Sequence, residues 1–233
     1  MLWHNAAERV FPHLVRIETP QGHGTGFLLL YNETKFLCGI ATAAHVINYV
    51  EDWQQPLRIN HISTGISVML KESDRIIYRD KATDSAVILF PVSMLELPEF
   101  PIPLLPDDLE MRVGAEVGWL GYPAIASDTP CFFSGRISAR LPHTKSYLID
   151  GVAINGVSGG PVINISKDND DMWITGIISA YHANRATGEA LPGLSISQDV
   201  SHFHSVVTHI HNLDEENKQK LVETPTPSID TEE

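Results

Sequence analysis

Residues 156–161 read Gly156-Val157-Ser158-Gly159-Gly160-Pro161, one serine among three glycines with a closing proline. Glycines let a backbone turn sharply and let another group approach it closely. In such a turn the amides of Gly156 and Ser158 can face one concavity and bind an oxyanion, and each such donor contributes roughly 10²–10³ in rate. The plain alternative is a tight β-turn with a solvated serine. The segment alone does not choose between the two.

A nucleophilic serine needs a base, and the base needs a group that orients it. Working outward from Ser158, two segments offer them. His45 ends the small-residue run Thr42-Ala43-Ala44-His45-Val46, where one polar ring can emerge at a strand end. Asp84 stands directly before the apolar run Ser85-Ala86-Val87-Ile88-Leu89-Phe90. A carboxylate there is partly buried and needs a donor such as an imidazole N–H. Taken singly, His45 reads as a satisfied core or surface histidine and Asp84 as a turn aspartate. Asp74 and Asp80 are rival acids, but only Asp84 abuts the strand. The order His45, Asp84, Ser158 is one of the known chain orders of such triads. It places two members in the first half of the chain and the serine in the second, so the site falls in the cleft between them.

The rest of the chain is mostly β in texture. Short apolar or β-branched runs at 14–19, 26–31, 36–43, 57–62, 66–72, 76–79 and 85–90 precede a segment, 91–110, that holds five prolines. That density suits neither a helix nor a central strand. Further runs follow at 111–120, 131–139, 146–154, 161–165, 173–181 and 193–199. The expected division is residues 1–95 for a first β unit with His45 and Asp84, 96–110 for a Pro-rich linker and 111–200 for a second β unit with Ser158. Val200, Phe203, Val206/Val207 and Ile210 then recur at helical spacing, so 201–222 is read as a helix docked on the second unit. Residues 223–233 are acidic and Pro/Thr-rich, and are read as a disordered tail.

Composition narrows the function classes. The 233 residues carry 16 Lys+Arg against 29 Asp+Glu, a formal charge of −13. Residues 212–233 account for −5 of it, so the surplus is spread along the chain. Phosphate binding needs clustered Lys/Arg, so nucleic acid is not expected as a partner. No apolar run approaches the roughly 20 residues that span a bilayer, and no secretory leader is visible, so no membrane partner and a cytoplasmic location are expected. Cys38 and Cys131 read as free thiols, and no Cys-x-x-Cys pair offers a zinc site. His202, His204, His209 and His211 pair at seven-residue spacing on the C-terminal helix. A metal would need three or four convergent ligands, and a solvated or docking helix face is the favoured reading; no metal is expected.

Several ordered blocks resemble the trypsin-like serine peptidases of the chymotrypsin fold, closest to the bacterial HtrA/Deg-type protease domains but with no PDZ module. They are Gly24-Thr25-Gly26-Phe27, Thr42 to Val46, Asp80 to Val87, Gly118-Trp119-Leu120-Gly121-Tyr122-Pro123, Ser134 to Ala139, Gly156 to Pro161 and Gly176 to Ala180. The resemblance covers about residues 13–200. It implies an all-β fold of two six-stranded antiparallel β-barrels, with the C-terminal helix and acidic tail as additions. It further implies a serine endopeptidase acting on protein or peptide substrates through His45, Asp84 and Ser158, with Gly156 and Ser158 as the oxyanion hole and no cofactor. Ser179 resembles the family's serine beside the aspartate. Ala180 and Tyr181 fall on the strand beside the substrate, and Val152 near the floor of the primary pocket. An apolar Val152 offers no counter-charge to Lys or Arg, so small or medium apolar residues are expected before the cut.

The chain departs from the extracellular digestive enzymes at two positions. Val46 stands where they have a cysteine. Val157 stands where they have the aspartate that pairs with a freed N-terminus, so activation by that salt bridge is not expected. The rival expectation, from another class, is a catalytically idle protease fold used as a binding module. An esterase with the same triad is disfavoured by chain order. Oligomeric state is left open.

Overall fold

The structure is a computed structural model that describes residues 1–166, 171–183 and 190–223, the side chains of 180–183, 190–192 and 221–223 excepted. The first half contains α1 (Trp3–Val10), β1 (Leu14–Thr19), β2 (Gly22–Tyr31), β3 (Leu37–Ala43), α2 (Ala44–Asp52), β4 (Leu57–His61), β5 (Ile66–Leu70), β6 (Ile76–Asp80) and β7 (Ser85–Pro91). The second contains β8 (Glu116–Gly121), β9 (Cys131–Leu141), β10 (Ser146–Asp150), β11 (Pro161–Ile165), β12 (Met172–Ala183) and β13 (Ala190–Asp199), followed by α3 (Ser201–Glu223).

The second half closes into a six-stranded barrel in the order β10-β13-β12-β11-β8-β9. The first half is one seven-stranded sheet, β5-β4-β1-β2-β3-β7-β6, whose outer strands are not paired to each other. It therefore differs in detail from a closed six-stranded barrel. Buried Arg75, between β5 and β6, supplies donors at the open seam. Its guanidinium donates to the carbonyls of Leu70 at 2.8 Å and Gln55 at 2.8 Å, and to that of Val50 at 3.3 Å. These groups would otherwise be costly to bury.

Two-residue periodicity sorts the core. On β2, β3 and β7 one face carries Leu28, Cys38, Ile40, Ala86, Ile88 and Phe90 into the first-half core. The opposite face carries Phe27, Leu29, Ala41, Ala43, Val87 and Leu89 into a second core shared with the barrel. Successive residues of a strand face opposite sides, so strands buried on both sides read as continuous apolar runs. This is why 85–90 lacks any polar alternation. Full burial of each large apolar side chain is worth about 1.5–3 kcal/mol.

The Pro-rich segment packs on the barrel rather than standing free. Ile102 and Leu105 are buried, and Leu105 N–H donates to the Ile174 carbonyl at 2.8 Å. Helix α3 also departs from expectation. It crosses back to the first half: Phe203 is fully buried and meets Phe27 edge-on at 6.3 Å, and His209 stacks edge-on against Tyr78 at 5.4 Å. Asp214 accepts from the backbone N–H of Glu33 at 2.7 Å. The helix docks there because the apolar face of β2 and β7 that looks away from their own core needs a cover. Of the expected tail 223–233, Glu223 is the last residue of α3 and the remainder lies outside the described residues. Among the described residues no helix is long and apolar enough to cross a membrane.

Candidate active site

The β3–β7 register builds the first part of the site. Ala43 pairs with Ser85, so the residues that leave both strands at that end lie side by side. β3 gives way to α2 at Ala44, which puts His45 in the first turn of a helix rather than at a free strand end. The N–H of Ala44 donates to the Asp84 carbonyl at 2.9 Å. The N–H of His45 donates to Asp84 Oδ1 at 2.9 Å, and the His45 ring nitrogen Nδ1 lies 2.8 Å from Oδ2. One carboxylate thus holds both the helix start and the imidazole.

Asp84 adopts a left-handed backbone with φ 47°, which aspartate tolerates better than most residues. Asp80 supports that turn. It accepts from the Ala82 N–H at 2.8 Å and from the Thr83 hydroxyl at 2.9 Å. Asp74 is engaged elsewhere, accepting from the Lys71 N–H at 2.9 Å. Of the three acids weighed from the sequence, Asp84 is the one bonded to His45.

Ser179, on β12, donates its hydroxyl to Asp84 Oδ2 at 2.5 Å. Burial by itself pushes the Asp84 carboxyl up, but hydrogen bonds from His45 and Ser179 outweigh it and hold the group below its ordinary value. The site therefore contains an ionised, partly buried carboxylate facing an imidazole. The His45 side chain keeps 46% of its surface exposed and Asp84 24%.

Ser158 lies on the loop before β11, which packs against the first half. The Ser158 carbonyl accepts from the Thr25 N–H at 2.8 Å. A Cβ on Gly159 would strike the Thr25 carbonyl at 2.2 Å, the Thr42 hydroxyl at 2.3 Å and the Ala43 nitrogen at 2.8 Å. Only glycine, here at φ 84°, lets the serine loop press onto the strand that delivers His45. Among the described residues neither the Ser158 hydroxyl nor the second ring nitrogen of His45 has a hydrogen-bond partner, so Ser158 is not bonded to His45. The N–H groups of Gly156 and Ser158 likewise have no acceptor among the described residues.

The other expected site residues are placed as follows. Val152 follows β10 and is 49% exposed. Ala180 and Tyr181 continue β12 and pair in register with Ile196 and Ser195 of β13; their side chains lie outside the described residues. Val46 packs on the first hairpin, with a Cγ atom 2.6 Å from where a Cβ on Gly24 would stand. Val157 is fully buried. Cys38 and Cys131 are both free, and no metal-ligating cluster occurs among the described residues. Sequence reasoning missed what Thr25 does. A hydroxyl between two glycines of a buried strand must find partners, and that signal was legible in Gly24-Thr25-Gly26.

Comparison with known proteins decides the family. The family model for the trypsin-like peptidase domain matches residues 24–169, more than half of the chain. The chain belongs to the trypsin-like peptidases. No curated protein sequence matches it. Among solved structures, this peptidase is similar to a serine endoprotease from Yersinia pestis, with a TM-score of 0.64 and 17% identity over 91% of this chain and 67% of that one. It is also similar to an inactive mutant form of Rv3671c from M. tuberculosis H37Rv, with a TM-score of 0.61 and 19% identity over 88% and 89% of the two chains. At such identities the likeness is one of fold. Family membership makes the trypsin-like peptidase a serine endopeptidase with peptide or protein substrates.

Proposed function

We propose that this peptidase hydrolyses peptide bonds through Ser158, His45 and Asp84 by way of an acyl-enzyme. The observation that carries the reading is the double hold of Asp84 on His45, at the backbone N–H and at Nδ1, beside the loop that bears Ser158. With Nδ1–H donated to the carboxylate, Nε2 carries the lone pair. It takes the proton of the Ser158 hydroxyl as Oγ attacks the scissile carbonyl, and later gives that proton to the departing amine. Water then attacks the acyl-enzyme with the same histidine as base. Asp84 stabilises the imidazolium that forms in each step, and Ser179 helps keep that carboxylate ionised. The N–H groups of Gly156 and Ser158, which have no acceptor among the described residues, are the donors for the oxyanion.

The preference proposed for the residue before the scissile bond is a small or medium apolar one, resting on the family resemblance that puts Val152 near the floor of the primary pocket. Val152 brings an apolar side chain and no counter-charge, which disfavours Lys or Arg. A fluorophosphonate probe tests the reading. Wild type is expected to label, and Ser158→Ala and His45→Ala are not. Labelling retained by Ser158→Ala overturns the nucleophile, and a folded wild type that neither labels nor cleaves peptide points to an idle binding module.

A further inference from the structure

The loop that carries Ser158 is held by Thr25 of the first half. Its side chain is fully buried. Its N–H donates to the Ser158 carbonyl at 2.8 Å, and its hydroxyl donates to the Gly156 carbonyl at 2.8 Å while accepting from the Tyr122 N–H at 2.9 Å. The Thr25 carbonyl accepts from the Thr42 hydroxyl at 2.7 Å.

Four consecutive peptide planes of the loop can be followed. In a trans peptide the N–H and C=O point in opposite directions, and among the described residues every peptide is trans. The Asn155 carbonyl accepts from Ala124 N–H at 2.7 Å, which turns the Gly156 N–H the other way. The next plane is tied at both ends, Gly156 C=O to the Thr25 hydroxyl and Val157 N–H to the Ile154 carbonyl at 3.0 Å. The Val157 carbonyl accepts from Gly160 N–H at 2.9 Å, which turns out the Ser158 N–H. The last plane is again tied at both ends, Ser158 C=O to Thr25 N–H and Gly159 N–H to the Ile178 carbonyl at 2.7 Å. Two N–H groups, those of Gly156 and Ser158, have no acceptor among the described residues, and two of the four planes are pinned by Thr25.

We propose that Thr25 is a positioning residue that keeps the oxyanion hole assembled without an activating salt bridge. The inference rests on the proposed roles of Gly156 and Ser158. Its physical basis is that Val157, buried and apolar, can anchor the loop by packing but cannot orient a peptide plane. The Thr25 hydroxyl does so, because it sits between the Gly156 carbonyl and the Tyr122 N–H and satisfies both. A Cβ on Gly121 would lie 2.8 Å from that hydroxyl, so the chain is trimmed around it. Losing the hydroxyl strands two buried backbone groups, and the loop can meet them only by rotating the Gly156 plane out of place.

The test compares Thr25→Ser with Thr25→Ala, which differ by the hydroxyl alone. Both are assayed for hydrolysis of a valyl peptide p-nitroanilide, for affinity to a peptide aldehyde whose adduct with Ser158 presents an oxygen to the hole, and for thermal unfolding. Thr25→Ser is expected to retain wild-type kcat. Thr25→Ala is expected to lose roughly 10²–10³ in kcat, the loss that follows removal of one oxyanion donor, with KM unchanged. Aldehyde affinity is expected to fall by the same factor as kcat. Should Thr25→Ala fail to fold, Thr25→Val, which restores the side-chain volume, takes its place. Equal kcat in the hydroxyl-bearing and hydroxyl-free variants overturns the proposal. So does a loss shared by Thr25→Ser, or a loss confined to thermal stability. Failure of the underlying reading is separate: wild type itself would then neither label with fluorophosphonate nor hydrolyse the peptide.

Discussion

Asp84→Asn tests the site with the least disturbance of shape. Asp84 receives three hydrogen bonds, from His45 N–H on Oδ1 and from His45 Nδ1 and the Ser179 hydroxyl on Oδ2. Asparagine suits the left-handed backbone at this position, and its carbonyl oxygen can keep the His45 N–H. Its NH₂ then stands where Oδ2 stood, facing Nδ1 and the Ser179 hydroxyl. Ser179 can rotate and accept. The imidazole can accept at Nδ1 only by carrying its proton on Nε2, and then it cannot deprotonate Ser158. Two charge-assisted bonds, each about 1.5–3 kcal/mol, are lost or replaced by weaker neutral ones. Together they bound the effect at about 10²–10⁴ in rate, and the wrong tautomer puts it at the upper end, about 10⁴ in kcat. The assay is kcat on the valyl p-nitroanilide, with the rate of fluorophosphonate labelling and thermal unfolding in parallel. Activity within tenfold of wild type in a folded Asp84→Asn protein would refute the assignment of Asp84 as the orienting group.

Other outcomes are expected from single contacts. Gly156→Ala places a Cβ 2.4 Å from the Tyr122 carbonyl and 2.6 Å from His23 Nε2 at a residue with φ 92°; labelling by the probe should fall by roughly 10²–10³, the loss that follows removal of one donor from the proposed oxyanion hole. Phe203→Ala removes a fully buried ring that meets Phe27 and should cost about 3–5 kcal/mol of stability in urea unfolding. Burial lowers the proton affinity of His13 despite carbonyl contacts to Phe100 and Arg9, so the unfolded chain binds its proton more readily. Stability is then expected to fall as pH drops through the ordinary histidine range, and His13→Gln should flatten that fall in thermal unfolding scans. The lowered Asp84 value has its own window. Its stabilisation is present above the ordinary carboxylate value and is lost as pH falls through the folded value, and Asp84→Asn should abolish that component of acid unfolding.

Local pattern determined much of this protein. The strand β1 spans the run read at 14–19, and β11 the run at 161–165, because period-two burial and turn residues act within a few positions. The C-terminal helix was legible from 3.6-residue spacing, and it runs Ser201–Glu223. His45, Asp84 and Ser158 could be singled out because small residues, an apolar strand start and a glycine-rich turn each leave a local mark. Helices α1 and α2 left weaker marks. α2 begins directly at the end of a buried strand, and its start is held by the Asp84 side chain from the turn between β6 and β7 rather than by a capping residue of its own.

Only the tertiary structure decided what those residues do to one another. The contact of His45 with Asp84 follows from the pairing of Ala43 with Ser85, and a register shift of one residue would have turned the side chains to opposite faces. The surface that receives α3 depended on which face of β2 and β7 was left uncovered. The Thr25 hold on the serine loop joins residues more than a hundred positions apart, so no window of sequence contains it. Propensity and periodicity are properties of neighbours in the chain. Hydrogen bonds and packing between the two halves are properties of neighbours in space, and they orient the peptide planes around Ser158.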